Sequence, residues 1–226
     1  MFMLRALLIP LVLLAACAPR PDNGQASRIL VMGDSLLAWH SLSGNSVADA
    51  LARKLQEPVT DRSVSGARVL YALPVTGAAG LNIGKQYRPG DWEWIIVNGG
   101  GNDLWLGCGC MICDRKLDRM VSADGRQGAI PDMLARLRKT GAQVVYVGYL
   151  RSPGTGSLIK HCRDEGKTLE DRIQQTAARD EGLHFLSLRT MVPHGDRSFH
   201  AADRIHPSIK ASREIARRIA DIIREN

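Results

Sequence analysis

The feature that most constrains this chain is the alternation of short, wholly apolar runs with segments of helical periodicity. Arg28-Ile29-Leu30-Val31-Met32 runs into Gly33, and Trp94-Ile95-Ile96-Val97 is closed by Asn98 and three glycines. Gln143 to Leu150 (QVVYVGYL) is a third strong run, Leu183 to Leu188 is strand-like, and Pro58 to Val64 is a weaker strand. Between them, Ser46 to Gln56 repeats apolar residues at helical spacing (Val47, Ala50, Leu51, Leu55), with Ser46 as N-cap. Ile130 to Lys139, Thr168 to Arg179 and Ser208 to Arg224 read as further helices, the last with Ile209, Ile215, Ile219 and Ile222 on its apolar face. Strands that are apolar throughout, not alternately, are buried on both faces, as in a parallel sheet covered by helices on each side. Such sheets place their sites beyond the carboxyl ends of the strands. No internal repeat and no second domain boundary interrupts the pattern.

The first 27 residues do not fit it. Met1 to Arg5 carries one positive charge, and Ala6 to Ala16 is apolar apart from Pro10. That run is shorter than the roughly 20 residues a bilayer span needs, and it suits a secretory signal. It ends Leu14-Ala15-Ala16-Cys17, which resembles the bacterial lipobox. The resemblance implies a signal peptide over residues 1–16, cleavage before Cys17 and lipidation of that cysteine. Residues 17–27, polar and broken by Pro19 and Pro21, then form a tether reaching at most roughly 35 Å. The expected location is the cell envelope, on a periplasm-facing membrane surface.

Charge does not name a macromolecular partner. Lys and Arg number 30 against 23 Asp and Glu, a net +7, but the excess is spread along the chain. Its densest stretch, Arg213, Arg217, Arg218 and Arg224, has the spacing of a solvated face on the last helix. No aromatic-interleaved basic motif accompanies it, so nucleic-acid binding is not expected. No required protein partner is evident.

Four loops carry residues with chemistry. Gly33-Asp34-Ser35-Leu36 follows the first strand, where a glycine permits a tight turn and a serine hydroxyl can face a cleft. Ser65-Gly66 follows the weak strand and could offer the Gly66 N–H. Gly100-Gly101-Asn102-Asp103 follows the second strong strand, and the Asn102 amide could aim an N–H at a developing oxyanion. Asp203-Arg204-Ile205-His206-Pro207 precedes the last helix. A serine needs a base to take its proton, and an imidazole needs a partner to hold its tautomer. Of six histidines, His206 alone has an aspartate three residues back at a helix entrance. Asp34 and Asp103 read as residues that fix their loops. Walker A, His-Glu-x-x-His and Gly-x-Ser-x-Gly motifs are absent.

In that order and context, these blocks resemble the SGNH (GDSL) hydrolase family over about Arg28 to Asn226. The resemblance implies a three-layer α/β/α sandwich with a flavodoxin-like, five-stranded parallel sheet. It implies a serine ester hydrolase working through an acyl-enzyme, with Ser35 as nucleophile, His206 as base and Asp203 as its orienter. The oxyanion hole would be the Ser35 and Gly66 N–H groups with the Asn102 side chain; neither cofactor nor metal is implied. One position departs from the family: Asp61 stands where an asparagine is common, five residues before Gly66.

The four cysteines after Cys17, namely Cys108, Cys110, Cys113 and Cys162, suit two disulfides in an exported protein. Cys-x-Cys-x-x-Cys with His161 beside Cys162 leaves a zinc or iron–sulfur site as the alternative. In the implied sheet, a bridge from Cys162 to the Cys108–Cys113 cluster would staple two loops beside the oxyanion hole. Trp39 and Trp105, a few residues beyond Ser35 and Asn102, are candidates for the substrate pocket or for the core. The expected substrate is a short-chain or O-acetyl ester, including an O-acetylated glycan. Thioesterase, lysophospholipase and non-catalytic carbohydrate-binding readings stand beside it.

Overall fold

The structure, a computed structural model, describes residues 26–154 and 156–226. The signal peptide and the Cys17 lipidation site lie outside the described residues. The chain runs β1 (Ile29–Met32), α1 (Ser35–Ala38), α2 (Val47–Leu55), β2 (Val59–Asp61), α3 (Pro74–Thr76), β3 (Trp94–Val97), α4 (Gly101–Cys108), α5 (Asp114–Met120), α6 (Ala129–Arg138), β4 (Gln143–Val147), α7 (Arg163–Ala177), β5 (Leu183–Leu186) and α8 (Ile209–Glu225). The five strands form one sheet in the order β2-β1-β3-β4-β5, with every neighbouring pair parallel.

Alternate residues of the apolar strands feed two cores. Leu30, Met32, Ile95, Val97, Val144 and Tyr146 pack against α4, α5, α6 and α7. Ile29, Val31, Trp94, Ile96, Val145 and Val147 pack against α1, α2 and α8. β1 and β3 are buried along their whole length, which is why their sequences show no polar alternation. The fold is therefore the three-layer α/β/α sandwich, and no helix among the described residues is long and apolar enough to cross a membrane.

The structure adjusts several expected boundaries. The Gln143 strand stops at Val147 instead of Leu150: the Gly148 N–H still reaches Leu186 O, but the Tyr149 N–H turns to the buried Glu170 carboxylate. α7 begins at Arg163, five residues before Thr168, because Asp164 and Glu165 favour a helix N-terminus whatever the apolar period does. α8 buries Ile215 and Ile219 of the expected face but turns Ile223 inward in place of Ile209 and Ile222. Ile215, Ile219 and Ile223 are buried with Ala211, Ala216 and Ala220, whereas Ile209 is 36% exposed and Ile222 only packs at the margin. The small side chains let α8 lie closely against α2. Gly100–Asp103, read from sequence as a glycine-rich loop, is instead the N-cap and first turn of α4.

All four cysteines are in disulfides, Cys108–Cys113 and Cys110–Cys162. The first closes the turn between α4 and α5. The second crosses 52 residues and ties the end of α4 to the segment that enters α7. Cys110, Cys162 and His161 do lie together, but the two sulfurs are bonded to each other instead of being free thiolates.

Two measurements check this architecture. Non-reducing mass spectrometry should find no free thiol among the four cysteines after Cys17 and the pairs Cys108–Cys113 and Cys110–Cys162. Ile219→Ala removes a fully buried side chain from the α8 core and should cost about 3 kcal/mol in denaturant unfolding.

Candidate active site

In the order β2-β1-β3, the chain crosses the sheet in opposite directions from β1, and the crevice of an open α/β sheet opens at such a reversal. The loops leaving β1 and β3 meet there. Ser35 is the first residue of α1, one residue past Asp34, which caps the helix by accepting from Leu36 N–H at 2.9 Å.

Ser35 Oγ lies 2.9 Å from Nε2 of His206. His206, 171 residues along the chain from Ser35, sets its Nδ1 2.5 Å from Oδ2 of Asp203. The other Asp203 oxygen accepts the N–H groups of Ile205 (3.0 Å) and His206 (3.1 Å), so the aspartate shapes the turn that carries the imidazole. Arg204 takes a left-handed φ of 58° in that turn. Burial works to raise the Asp203 carboxyl, but the His206 hydrogen bond and the two backbone N–H groups outweigh it and hold the group below the usual carboxylate range. An ionised carboxylate on Nδ1 fixes the tautomer that leaves Nε2 free to accept the serine proton.

Trp39, a candidate for the substrate pocket or the core, lies instead against His206. Its ring stacks on His206 with centroids 3.7 Å apart and planes 5° from parallel. Its neighbour His40 sets Nε2 3.2 Å from the Pro207 carbonyl, which clasps the residue after His206.

The turn at Ser35 is held by buried polar groups that carry no motif of their own. Gln86, 2% exposed, accepts from Gly33 N–H (2.6 Å) and donates to Gly33 O (2.9 Å). Asn98, fully buried, accepts from Asp34 N–H and donates to the Asp34 carboxylate, both at 3.0 Å. Gly33 has φ +149° and passes so close to Asn98 that a Cβ would fall 2.1 Å from its Oδ1. Tyr149 donates its hydroxyl to Asp34 at 2.5 Å and accepts from Gly101 N–H at 2.9 Å. Burial, with Asp34 beside it, keeps that phenol far above its ordinary range, so it stays a donor. Asp34 is itself pushed up by burial and drawn back by Tyr149, the Leu36 N–H and Asn98.

Sequence reasoning missed Gln86 and Tyr149 and noticed Asn98 only as a strand terminator. A polar residue directly after an apolar strand was the available signal for Asn98; nothing local marks the other two.

Asp103 ties the β2 and β3 loops together, accepting from Val69 N–H (2.9 Å) and Leu70 N–H (2.8 Å) at 1% exposure. Asn102 donates to Ala67 O at 3.1 Å, beside Gly66, and keeps a second amide hydrogen. Neither the Ser35 N–H nor the Gly66 N–H has an acceptor among the described residues. For Ser35 this follows from its place at a helix start. Asp61 accepts from both the N–H and the hydroxyl of Ser63, so the carboxylate serves the turn that leads to Gly66.

Above these groups opens a cleft of about 1230 Å³. Ser35, His206, Asn102 and Trp105 line it, with Leu150 and Ile159 among its apolar residues; Trp39 does not.

Trp39→Leu should lower kcat for ester hydrolysis about tenfold, since the ring loses the surface that sets its plane. Unfolding monitored by circular dichroism should change little, because Trp39 sits at the margin of the fold. Asn98→Ala should both destabilise the fold by about 2 kcal/mol and lower kcat, because it leaves Asp34 with unanswered buried polar groups.

No curated protein matches this chain. Solved structures share its fold at low identity. An acetyl xylan esterase from Butyrivibrio proteoclasticus is 19% identical with a TM-score of 0.53, over 89% of this chain and 64% of that one. A psychrotrophic esterase from Pseudoalteromonas sp. is 18% identical with a TM-score of 0.56, over 87% and 96%. A carbohydrate acetylesterase family member from Sinorhizobium meliloti is 13% identical with a TM-score of 0.57, over 87% and 97%. The model of the GDSL-like lipase/acylhydrolase family matches residues 31–213. That match runs from within the first strand into the last helix and takes in every loop described above, so the chain belongs to the GDSL-like lipase/acylhydrolase family, the SGNH hydrolases, and is an ester-bond hydrolase.

Proposed function

We propose that this hydrolase is an exported, membrane-tethered serine esterase for short-chain or O-acetyl esters, with Ser35 as nucleophile. The hydrogen-bonded series Ser35–His206–Asp203 carries the reading. Ser35 Oγ attacks the acyl carbon while His206 Nε2 takes its proton, and Asp203 stabilises the imidazolium that forms. The oxyanion is met by the Ser35 and Gly66 N–H groups and the spare Asn102 amide hydrogen, three donors on three loops held together by Asp103 and Tyr149. His206 then protonates the departing alcohol, and water, deprotonated by the same imidazole, releases the acid from Ser35.

A cleft of about 1230 Å³ exceeds the roughly 300–1,000 Å³ usual for small ligands, which supports a bulky alcohol such as a glycan over a small ester. The names of the acetyl xylan esterase and the carbohydrate acetylesterase family member point the same way. Export and anchoring rest on the likeness of Leu14 to Cys17 to a lipobox, and two disulfides suit an oxidising compartment.

Ser35→Ala should abolish release of 4-nitrophenol from its acetate, a loss of about 10⁴-fold or more, and Asp203→Asn should cost about 10³–10⁴-fold in kcat. Retained turnover in Ser35→Ala would end the reading. The step needs a neutral imidazole, because only neutral His206 can accept from serine. Asp203, held below the usual carboxylate range, stays ionised at neutral pH and keeps orienting the ring. Cys17→Ser should abolish incorporation of labelled fatty acid and release the protein from membranes.

A further inference from the structure

The cleft carries a concentration of positive charge that ester hydrolysis does not use. Arg151, Lys160, Arg163, Lys167 and Arg189 line it, against two carboxylates, Asp34 and Asp164. Asp34 is spent in the interior on Tyr149 and Asn98. Behind the wall, Arg151 and Arg189 both donate to one oxygen of Glu170, at 2.5 and 2.6 Å, and that glutamate is 1% exposed. Arg189 also meets Asp171 at 2.6 Å, but Asp171 is shared with Lys167, again at 2.6 Å. Three cations therefore divide two carboxylates. Asp164 answers Arg163 at 3.3 Å, and Lys160 has no acidic partner among the described residues. A positive excess remains on a concave surface, where low-dielectric walls focus its field.

The wall is built, not loose. Cys162 sits between Lys160 and Arg163 and is bonded to Cys110, and the buried Glu170 holds both arginines. Arg151 and Arg189 keep 20% and 26% of their side chains exposed there.

We propose that the cleft selects an anionic substrate: an O-acetylated acidic polysaccharide, whose uronate carboxylates lie along this wall while one acetyl group sits at Ser35. The proposal rests on the hydrolase mechanism above. The acyl carbon must come within roughly 3.5 Å of Ser35 Oγ, so a short acyl group cannot also cover the wall, and the alcohol side of the ester must do so. The cations come from the loop after β4, the entry to α7, α7 itself and the loop after β5, which suits a repeating monoanion better than a single phosphate. Water cleaves the acetyl ester to acetate and the free hydroxyl, and the carboxylates pass through unchanged.

The test compares acetate release by the full chain from acetylated polygalacturonate and from acetylated xylan, at low and at high salt. At low salt kcat/KM should favour the polyuronate by about tenfold or more, and the preference should shrink as salt screens the wall. Lys160→Gln with Arg163→Gln should reduce that preference several-fold, and Lys160→Glu should reduce it further. Equal kcat/KM for the two polymers at low salt, or a preference untouched by salt and by both variants, would overturn the proposal alone. Failure to cleave either polymer or 4-nitrophenyl acetate would overturn the hydrolase mechanism and this inference with it.

Discussion

A buried carboxylate, Asp34, joins the parts of this molecule that have to agree. It stands two residues beyond β1, at the reversal of the sheet, and receives hydrogen bonds from the Leu36 N–H, the Asn98 amide and the Tyr149 hydroxyl. One bond starts α1 and so aims Ser35. Another reaches the end of β3, and the third comes from the loop after β4, whose tyrosine also holds the start of α4. A carboxylate this deep is costly unless its lone pairs are answered. Satisfying it therefore draws three strand ends into one arrangement, and the donor loops take their places around it.

The same economy recurs on the outer side of the cleft. Glu170, nearly inaccessible, gathers the Tyr149 N–H, Arg151 and Arg189, so the loops after β4 and β5 are ordered by one side chain of α7. The Cys110–Cys162 bond adds a covalent limit on how far that wall can move from α4. Polar networks of this kind are unforgiving when half satisfied and rigid when complete. A site assembled from loops needs that rigidity, because a displacement of an ångström at the serine–imidazole contact is enough to lose rate.

His206 is positioned from outside the core. Asp203 fixes one edge of the ring, Trp39 covers one face, and His40 holds the following peptide. In the proposed mechanism, the stack also offers an aromatic face to the imidazolium, which favours that charge modestly. The ring is thus kept in place while its Nε2 meets Ser35 at the cleft.

Much of this is legible in the sequence alone. Apolar runs such as Ile95 to Val97 declare a strand buried on both faces, since any other structure would expose them. The Gly-Asp-Ser-Leu, Gly-x-Asn-Asp and Asp-x-x-His blocks are local too: each depends on a turn and a near neighbour, so its residues stay together in sequence. The alternation of strands and helices then implied a common edge for all of them. What only the tertiary structure decided is long-range: Gln86 against Gly33, Tyr149 against Asp34, Trp39 over His206, Cys110 as the member of the expected cluster that bonds Cys162, and the two arginines on Glu170. These pairs are 19 to 167 residues apart and follow from how helices and loops pack, for which no periodicity or spacing in a single chain supplies a signal.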